Sequence, residues 1–134
     1  MIKAMFENQL ESFGSVFSEW CNMKIAVIGS RGVKASDYEK IRENIPVNCT
    51  EIISGGANGA DALAERYAEE NSLRLTVVRP QYAKLGKSAP LERNLEIIRM
   101  ADYVLAFWDG ESRGTAFVIA KCLELGVPVK VIIV

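Results

Sequence analysis

The segment from Ser54 to Asp61 reads S-G-G-A-N-G-A-D and follows a short apolar run. Glycine lets a backbone turn tightly and approach a ligand closely, and a helix that starts near Asn58 would direct free N–H groups at that ligand. The pattern predicts a phosphate-binding loop, with a ligand-free strand-to-helix turn as the alternative. The predicted ligand residues in this loop are Ser54, Gly55, Gly56, Ala57, Asn58, Gly59 and Asp61, of which Asp61 has the alternative role of supporting the loop.

Two further loops have a similar composition. The segment D-G-E-S-R-G-T runs from Asp109 to Thr115 and opens another predicted helix, whose start offers amides, hydroxyls and the charge of Arg113. The segment G-S-R-G begins at Gly29, directly after another apolar run. The ligand residues predicted in these two loops are Gly29, Ser30, Arg31, Ser112, Arg113, Gly114 and Thr115.

The segment A-P-L-E-R-N places Arg93 and Asn94 near the start of a third predicted helix, with a solvated turn as the alternative. Asp109 and Glu111 are the candidate acids beside them. Tyr82 and Trp108 lie near the same loops and are candidates for stacking on a base, with a core position as the alternative. The sequence contains neither G-x-G-x-x-G nor G-x-x-x-x-G-K-[ST], which argues against a nicotinamide dehydrogenase and a P-loop enzyme.

Composition excludes several kinds of chemistry. The 134 residues include no histidine, which removes Ser-His-Asp and Cys-His catalysis, and no C-x-x-C pair, so we expect no metal site and no required cofactor. The net charge of −1 gives no overall attraction for polyanions and argues against nucleic acid as a partner. No apolar run approaches the roughly 18 residues of a membrane span, so we expect a cytoplasmic protein without a membrane partner.

The elements between these loops indicate the fold. Apolar, β-branched runs predict five strands, and residues spaced as on one helix face predict the helices between them. This order predicts a single α/β domain over residues 23–134, a doubly wound Rossmann-like fold with a mainly parallel five-stranded sheet. The loops after its strands would then gather at one edge of the sheet. The strands are predicted at Lys24–Gly29, Thr50–Ser54, Leu73–Arg79, Tyr103–Trp108 and Val127–Val134, and the helix stripes include Leu63, Tyr67, Leu91, Leu95, Ile98, Ile119 and Leu123.

Residues 1–22 form a separate N-terminal extension. Its aromatic and leucine residues recur at helical spacing, which predicts an amphipathic helix that packs on the domain, pairs with a second copy or binds a partner, with a poorly structured addition to the domain as the alternative. A homo-oligomer through this helix or through helices of the sheet domain is therefore one expectation. The residues of the stripe are Phe6, Leu10, Phe13, Phe17 and Trp20.

The motifs together resemble the SLOG superfamily of Rossmann-like domains, which includes the DNA-processing protein DprA and the LOG phosphoribohydrolases. The resemblance rests on M-K-I-A-V-I-G-S-R-G, I-I-S-G-G-A-N-G-A-D and P-L-E-R-N with the loop after the fourth strand, and it covers Met23 to Val134. It implies a nucleotide or nucleotide-derived ligand at the glycine loops, which the protein senses or processes.

Two alternatives follow from the same resemblance. In LOG enzymes, which cleave the N-glycosidic bond of nucleoside monophosphates, an E-R-K segment supplies a catalytic Arg, a role that Arg93 inherits. The LOG pattern also expects a catalytic Glu where this chain has Val118, so Asp109 or Glu111 would have to replace it. The other alternative is DprA-like binding of single-stranded DNA through a local basic patch of Arg31, Arg79, Lys84, Lys87, Arg93 and Arg113.

Overall fold

A computed structural model describes residues 22–134 and contains a five-stranded sheet with the order β3-β2-β1-β4-β5. Every neighbouring pair of strands is parallel. The strand order reverses direction between β1 and β4, which is the switch point of a doubly wound fold. The predicted fold class is therefore confirmed. The strands are β1 (Met23–Gly29), β2 (Cys49–Ser54), β3 (Arg74–Val77), β4 (Tyr103–Trp108) and β5 (Val129–Ile133).

Helices cover both faces of the sheet. One face carries α1 and α2, whose buried residues Ile41 and Leu63 pack with Ile25 of β1. The other carries α4 and α5, whose Ile98 and Val118 pack with Ile28. The central strands are buried on both faces, which explains why they read as continuous apolar runs. The helices are α1 (Tyr38–Asn44), α2 (Ala60–Glu70), α3 (Tyr82–Leu85), α4 (Ala89–Met100) and α5 (Arg113–Leu125).

Local chemistry sets the ends of the helices near the loops. Pro90 lies in the first turn of α4, where its missing N–H costs no hydrogen bond. Gly126 ends α5 in the left-handed conformation, with φ of 73°. The short 3-10 turn before α1 is held by Asp37, whose carboxylate accepts the Lys34 N–H at 2.8 Å.

Three details differ from the sequence-based expectation. The stretch from Pro80 to Ser88, expected as a loop, contains the short helix α3. The third strand is shorter than predicted, and residues 78–79 lie beyond its end. In α4 the predicted stripe is rotated, because Leu91 is 43% exposed whereas the polar Asn94 is only 8% exposed. Asn94 is buried beside Arg93, whose Nε donates to Asn94 Oδ1.

Of the predicted N-terminal extension, residues 1–22, only Asn22 is among the described residues. Cys21 therefore also lies outside them. The other cysteines, Cys49 and Cys122, are free and buried. Within residues 22–134 no helix has the length and apolar character needed to cross a membrane. The same part of the chain contains no cluster of histidine, cysteine or acidic side chains arranged to hold a metal ion.

Candidate functional site

A cavity of about 540 Å³ lies where the loops that follow β1, β2, β3 and β4 come together with the start of α4. Its position is the carboxyl edge of the sheet, where open α/β folds bind ligands. Polar and charged groups contribute much of its wall. The cavity is lined by Ile28, Gly29, Arg31, Gly55, Gly56, Ala57, Asn58, Asp61, Arg79, Pro80, Tyr82, Pro90, Arg93, Asn94, Ser112, Gly114 and Thr115.

The loop between β2 and α2 is held by its own side chains. The Gly56 N–H donates to Ser54 Oγ at 3.1 Å, and the Ala57 N–H donates to Asp61 Oδ2 at 3.1 Å. Gly56 has φ of 73°, a conformation that favours glycine. Ser54 is fully buried behind the loop, so it shapes the loop from below and does not line the cavity.

Two glycines allow α2 to approach the loop after β1. A Cβ atom on Gly29 would overlap the Cβ of Ala60, the first residue of α2. A Cβ on Gly59 would meet the carbonyl oxygens of Ser30 and Arg31 at 3.2 and 3.4 Å. Gly59 therefore packs one loop against another and does not line the cavity, in contrast to its predicted role as a ligand residue.

Two arginines donate hydrogen bonds to carbonyl oxygens of the glycine loop. Arg93 donates from Nη1 to the Gly55 oxygen at 2.6 Å and from Nε to Asn94 Oδ1 at 2.8 Å. Arg79 donates from Nη1 to the Gly56 oxygen at 3.4 Å, a long hydrogen bond. Each guanidinium has five N–H donors in a plane, so both arginines retain donors for an anion in the cavity.

The loop after β4 is an ordered turn around Asp109. The carboxylate Oδ1 accepts the N–H groups of Glu111 at 2.9 Å and Ser112 at 2.8 Å, and these bonds hold the pKa of Asp109 below its usual value. Ser30 Oγ accepts the Asp109 N–H at 3.2 Å and joins this turn to the loop after β1. Asp109 and Ser30 thus act within the protein structure, and neither lines the cavity.

The first turns of α2 and α5 both contribute to the cavity wall, α2 through Asp61 and α5 through Gly114 and Thr115. Neither helix has a side-chain cap at its first residue in the described part of the chain, so first-turn N–H groups remain for another acceptor. At α5, Ser112 Oγ lies 3.3 Å from Thr115 Oγ1, and both residues line the cavity with Gly114. The helix dipoles add positive potential at the same place.

Asp61 is the carboxylate in the described wall of the cavity. It is only 7% exposed, and burial raises its pKa above the usual value, although the hydrogen bond from Ala57 and the charge of Arg93 act in the opposite direction. Its hydrogen bond to the loop matches the supporting role that was the alternative for this residue.

The predicted site residues divide into two groups. Those that line the cavity are Gly29, Arg31, Gly55, Gly56, Ala57, Asn58, Asp61, Arg93, Asn94, Ser112, Gly114 and Thr115. Those outside its lining are Ser30, Ser54, Gly59, Asp109, Glu111 and Arg113.

The sequence-based set of ligand residues lacked Ile28, Arg79, Pro80, Tyr82 and Pro90, which also line the cavity. Arg79 and Tyr82 had been singled out for their charge and aromatic ring, but no glycine or helix start marked them as ligand residues. Trp108, the other aromatic candidate, does not line the cavity, and its indole N–H donates to the Ser112 oxygen at 3.0 Å.

The position where LOG enzymes carry their catalytic Glu faces away from this cavity. Val118 is 0% exposed and packs with Ala26, Ile28 and Ile97 in the core between α5 and the sheet. Neither Asp109 nor Glu111 takes over this position, since both are absent from the cavity lining. The LOG-type pair of arginine and carboxylate is therefore not assembled by the residues that were expected to supply it.

Comparison with known proteins places this geometry among related folds. No protein-family model matches the chain. The structure of DNA processing protein A (DprA) from Streptococcus pneumoniae is similar with a TM-score of 0.65 and 21% identity over 81% of this chain. The chain spans only 50% of that protein. These figures show that the two proteins share a fold.

Two further solved structures share the fold. DNA processing protein A from Helicobacter pylori has a TM-score of 0.59 and 20% identity, over 81% of this chain and 64% of its own. The E. coli tRNA N6-threonylcarbamoyladenosine dehydratase TcdA, solved with ATP, has a TM-score of 0.53 and 19% identity, over 94% of this chain and 57% of its own.

These neighbours contradict the expectation, drawn from the near-neutral net charge, that nucleic acid is an unlikely partner. The H. pylori protein, which has this fold, binds single-stranded DNA. Net charge describes the whole surface, whereas a ligand responds to the charge of the cavity it enters. Here Arg31, Arg79 and Arg93 line one cavity, so the overall balance was the wrong quantity to use.

A sequence relative identifies the family. The Gene 61 protein of Mycobacterium phage D29 is 36% identical over 84 residues, an alignment that covers 58% of this chain and 67% of the phage protein. The chain therefore belongs to the family of this phage protein, and its domain has the Rossmann-like fold that it shares with the DprA structures.

Proposed function

We propose that this protein binds the phosphate group of a nucleotide or nucleotide-derived ligand in the cavity at the carboxyl edge of the sheet. The observation that carries the proposal is the convergence of two uncapped helix starts and three arginines on one cavity. N–H groups at a helix start and guanidinium groups are both suited to phosphate oxygens.

The charge of the cavity supports an anionic ligand. Arg31, Arg79 and Arg93 are opposed in the lining by one carboxylate, Asp61, whose raised pKa reflects its burial. Arg79 and Arg31 are exposed, while Arg93 is half-buried and fixed by Gly55 and Asn94. A fixed, partly desolvated guanidinium interacts more strongly with an anion than one that moves freely in water.

Binding without cleavage is favoured over N-glycosidic hydrolysis. Hydrolysis needs a carboxylate that stabilises an oxocarbenium-like centre or activates water. Val118 lies in the core, Asp109 is engaged by two backbone N–H groups, and Asp61 is engaged by the glycine loop. No uncommitted carboxylate lines the cavity in residues 22–134.

Isothermal titration of the full-length protein with a panel of nucleoside mono-, di- and triphosphates tests this proposal. We expect saturable heat with at least one member and a weaker signal for Arg79→Gln. Arg42→Gln is the control, because Arg42 lies on α1 in an exposed ion pair with Glu39. Absence of heat from every member at millimolar concentration would overturn the proposal, and release of free base during incubation would favour the hydrolase instead.

Single-stranded DNA is a second candidate ligand, supported by a second cavity. A space of about 210 Å³ is lined by Arg99 and shares Arg79 and Arg93 with the first cavity, so the two arginines stand between the two spaces. Such an arrangement suits a ligand with successive phosphates. Glu92 and Glu96 line the second cavity as well and reduce its positive charge.

A gel-shift titration with a fluorescent oligothymidylate at several salt concentrations tests this candidate. A protein that binds successive phosphates releases the counterions condensed on the nucleic acid, so its affinity falls steeply as the salt concentration increases. We expect Arg99→Gln to weaken oligonucleotide binding while mononucleotide binding is retained. Equal affinities of Arg99→Gln and the original protein for the oligonucleotide would argue against the second cavity as part of its path.

A further inference from the structure

The cavity carries an apolar side chain that phosphate binding does not explain. Tyr82, on the short helix α3, is 61% exposed although it lines the cavity. Its ring belongs to neither core cluster, and its hydroxyl has no hydrogen-bond partner among residues 22–134. An aromatic ring left exposed at a cavity gains free energy when a ligand covers it.

Tyr82 is accompanied by two proline rings. Pro80 follows Arg79 directly and Pro90 precedes Arg93 by three residues, and all these residues line the same cavity. Both prolines are half-buried, so their positions are set by the surrounding fold. A phenol ring and two pyrrolidine rings provide flat apolar surface beside the groups that would hold a phosphate.

We propose that Tyr82, together with Pro80 and Pro90, forms a stacking platform for the planar base of the ligand. This inference rests on the proposed phosphate site and narrows its ligand from phosphate compounds in general to compounds that carry a heteroaromatic base. Trp108 is excluded from this role because it lies outside the cavity lining and its indole N–H is bonded to the Ser112 oxygen.

The platform would bind bases with little discrimination. Of the two asparagines in the lining, Asn94 has its carbonyl oxygen engaged by Arg93, whereas Asn58 is exposed. Stacking itself is tolerant of sequence, because every base has a π-face, and larger rings stack over more surface. We therefore expect purine nucleotides to bind more tightly than pyrimidine nucleotides, without strict selection among the purines.

The test compares two ligands that differ only by the base. Adenosine 5′-monophosphate and ribose 5-phosphate are titrated into the full-length protein, Tyr82→Ala, Tyr82→Phe and Val47→Ala. Val47 is the matched control, since it is 69% exposed and lies before β2 at the opposite edge of the sheet. Aromatic stacking on one base predicts that Tyr82→Ala weakens adenosine 5′-monophosphate about 5- to 150-fold.

The platform is supported if Tyr82→Ala loses this affinity, Tyr82→Phe and Val47→Ala keep it, and ribose 5-phosphate binds the original protein and Tyr82→Ala equally. It is overturned if Tyr82→Ala leaves adenosine 5′-monophosphate binding unchanged, or weakens both ligands by the same factor. In those cases binding to the original protein still supports the phosphate site. If neither ligand binds the original protein, the platform is overturned, and the titrations with the full nucleotide panel then decide whether the phosphate site is overturned as well.

Discussion

Arg93 and Gly55 are separated by 38 residues in the chain, yet Arg93 Nη1 donates to the Gly55 carbonyl oxygen at 2.6 Å. This bond joins the start of α4 to the loop between β2 and α2. A second hydrogen bond, from Nε of the same side chain to Asn94, helps to fix the orientation of the guanidinium plane. Arg93 is thus both a lining residue and the connection between two walls of the cavity.

Replacing Arg93 is expected to weaken nucleotide binding. A charged hydrogen-bond donor is worth about 1.5 to 3 kcal/mol, so Arg93→Gln should reduce the affinity for a nucleoside monophosphate by about 10- to 150-fold. Titration calorimetry measures the change, and Arg42→Gln should leave it unaltered because exposed ion pairs contribute little. Unchanged affinity in Arg93→Gln would exclude a contact between Arg93 and the ligand.

A methyl group at Gly55 should displace the same arginine without unfolding the protein. A Cβ at this position would lie 2.6 Å from Arg93 Nη1 and 3.0 Å from Asp61 Oδ2, and both of these atoms are ends of side chains. We expect Gly55→Ala to keep its melting temperature within a few degrees while it loses nucleotide affinity in the same direction as Arg93→Gln. Gly32→Ala is the control, since no other part of residues 22–134 lies within 4 Å of a Cβ there.

If Gly55→Ala lowers the melting temperature as much as a core substitution, the loop is less tolerant than the contacts of Gly55 indicate. The double variant Gly55→Ala with Arg93→Gln adds a second check. Because both single changes act on one contact, their effects on affinity should be less than additive.

Gly29→Ala should destabilise the fold itself. The added Cβ would overlap Ala60 Cβ and lie 3.3 Å from the Phe107 carbonyl oxygen, both of which belong to regular elements. Inserting a methyl group into such a close approach typically costs about 1 to 3 kcal/mol. Urea unfolding of Gly29→Ala beside Gly32→Ala measures the cost, and equal midpoints for the two variants would contradict the close packing of α2 on β1.

Asp61→Asn should change how stability depends on pH. Burial raises the pKa of Asp61. The folded protein therefore binds the proton of this carboxyl more tightly than the unfolded chain does, in which the carboxyl has its ordinary pKa of 3.8. The protein therefore loses stability as the pH rises from below 3.8 through the folded-state pKa, because the buried carboxyl becomes charged. Above the folded-state pKa this loss of stability is constant. Asparagine has no charged form and can keep a carbonyl oxygen toward the Ala57 N–H.

The free energy of unfolding of Asp61→Asn, relative to the original protein, should therefore increase between about pH 3 and about pH 7. Urea unfolding at several pH values measures this difference. Glu124→Gln, an exposed change on α5, should show no such trend. A decrease of the difference over the same interval would mean that Arg93 and the loop N–H groups outweigh burial at Asp61.

The sheet and its order of elements were predictable from local patterns. The fourth strand was predicted with the bounds that the structure has, Tyr103–Trp108, because a strand buried on both faces must be apolar throughout. The glycine loop was equally visible, since a tight turn before a helix restricts which residues can occupy it. These features depend on neighbours along the chain, and so one sequence contains the information for them.

Other features depend on residues that meet only after folding. Leu91 was predicted to face the core and is exposed, whereas Asn94 is buried because it holds Arg93 beside the cavity. Similarly, Gly59 and Asp109 have the residue types of a ligand loop but serve contacts within the protein. Residue type alone does not distinguish a polar group that meets a ligand from one that meets another loop.

The sequence alone was sufficient for the fold class, the order of the strands and of the longer helices along the chain, and the edge of the sheet where the glycine loops lie. The tertiary structure decided which side chains share the cavity, and it added Arg79 and Tyr82 to the predicted set of lining residues. The physical reason is the distance along the chain over which each kind of interaction acts. Periodicity and turn chemistry act over a few residues, whereas the cavity wall is assembled from four loops and the start of α4, which only the packing of helices on a parallel sheet brings together.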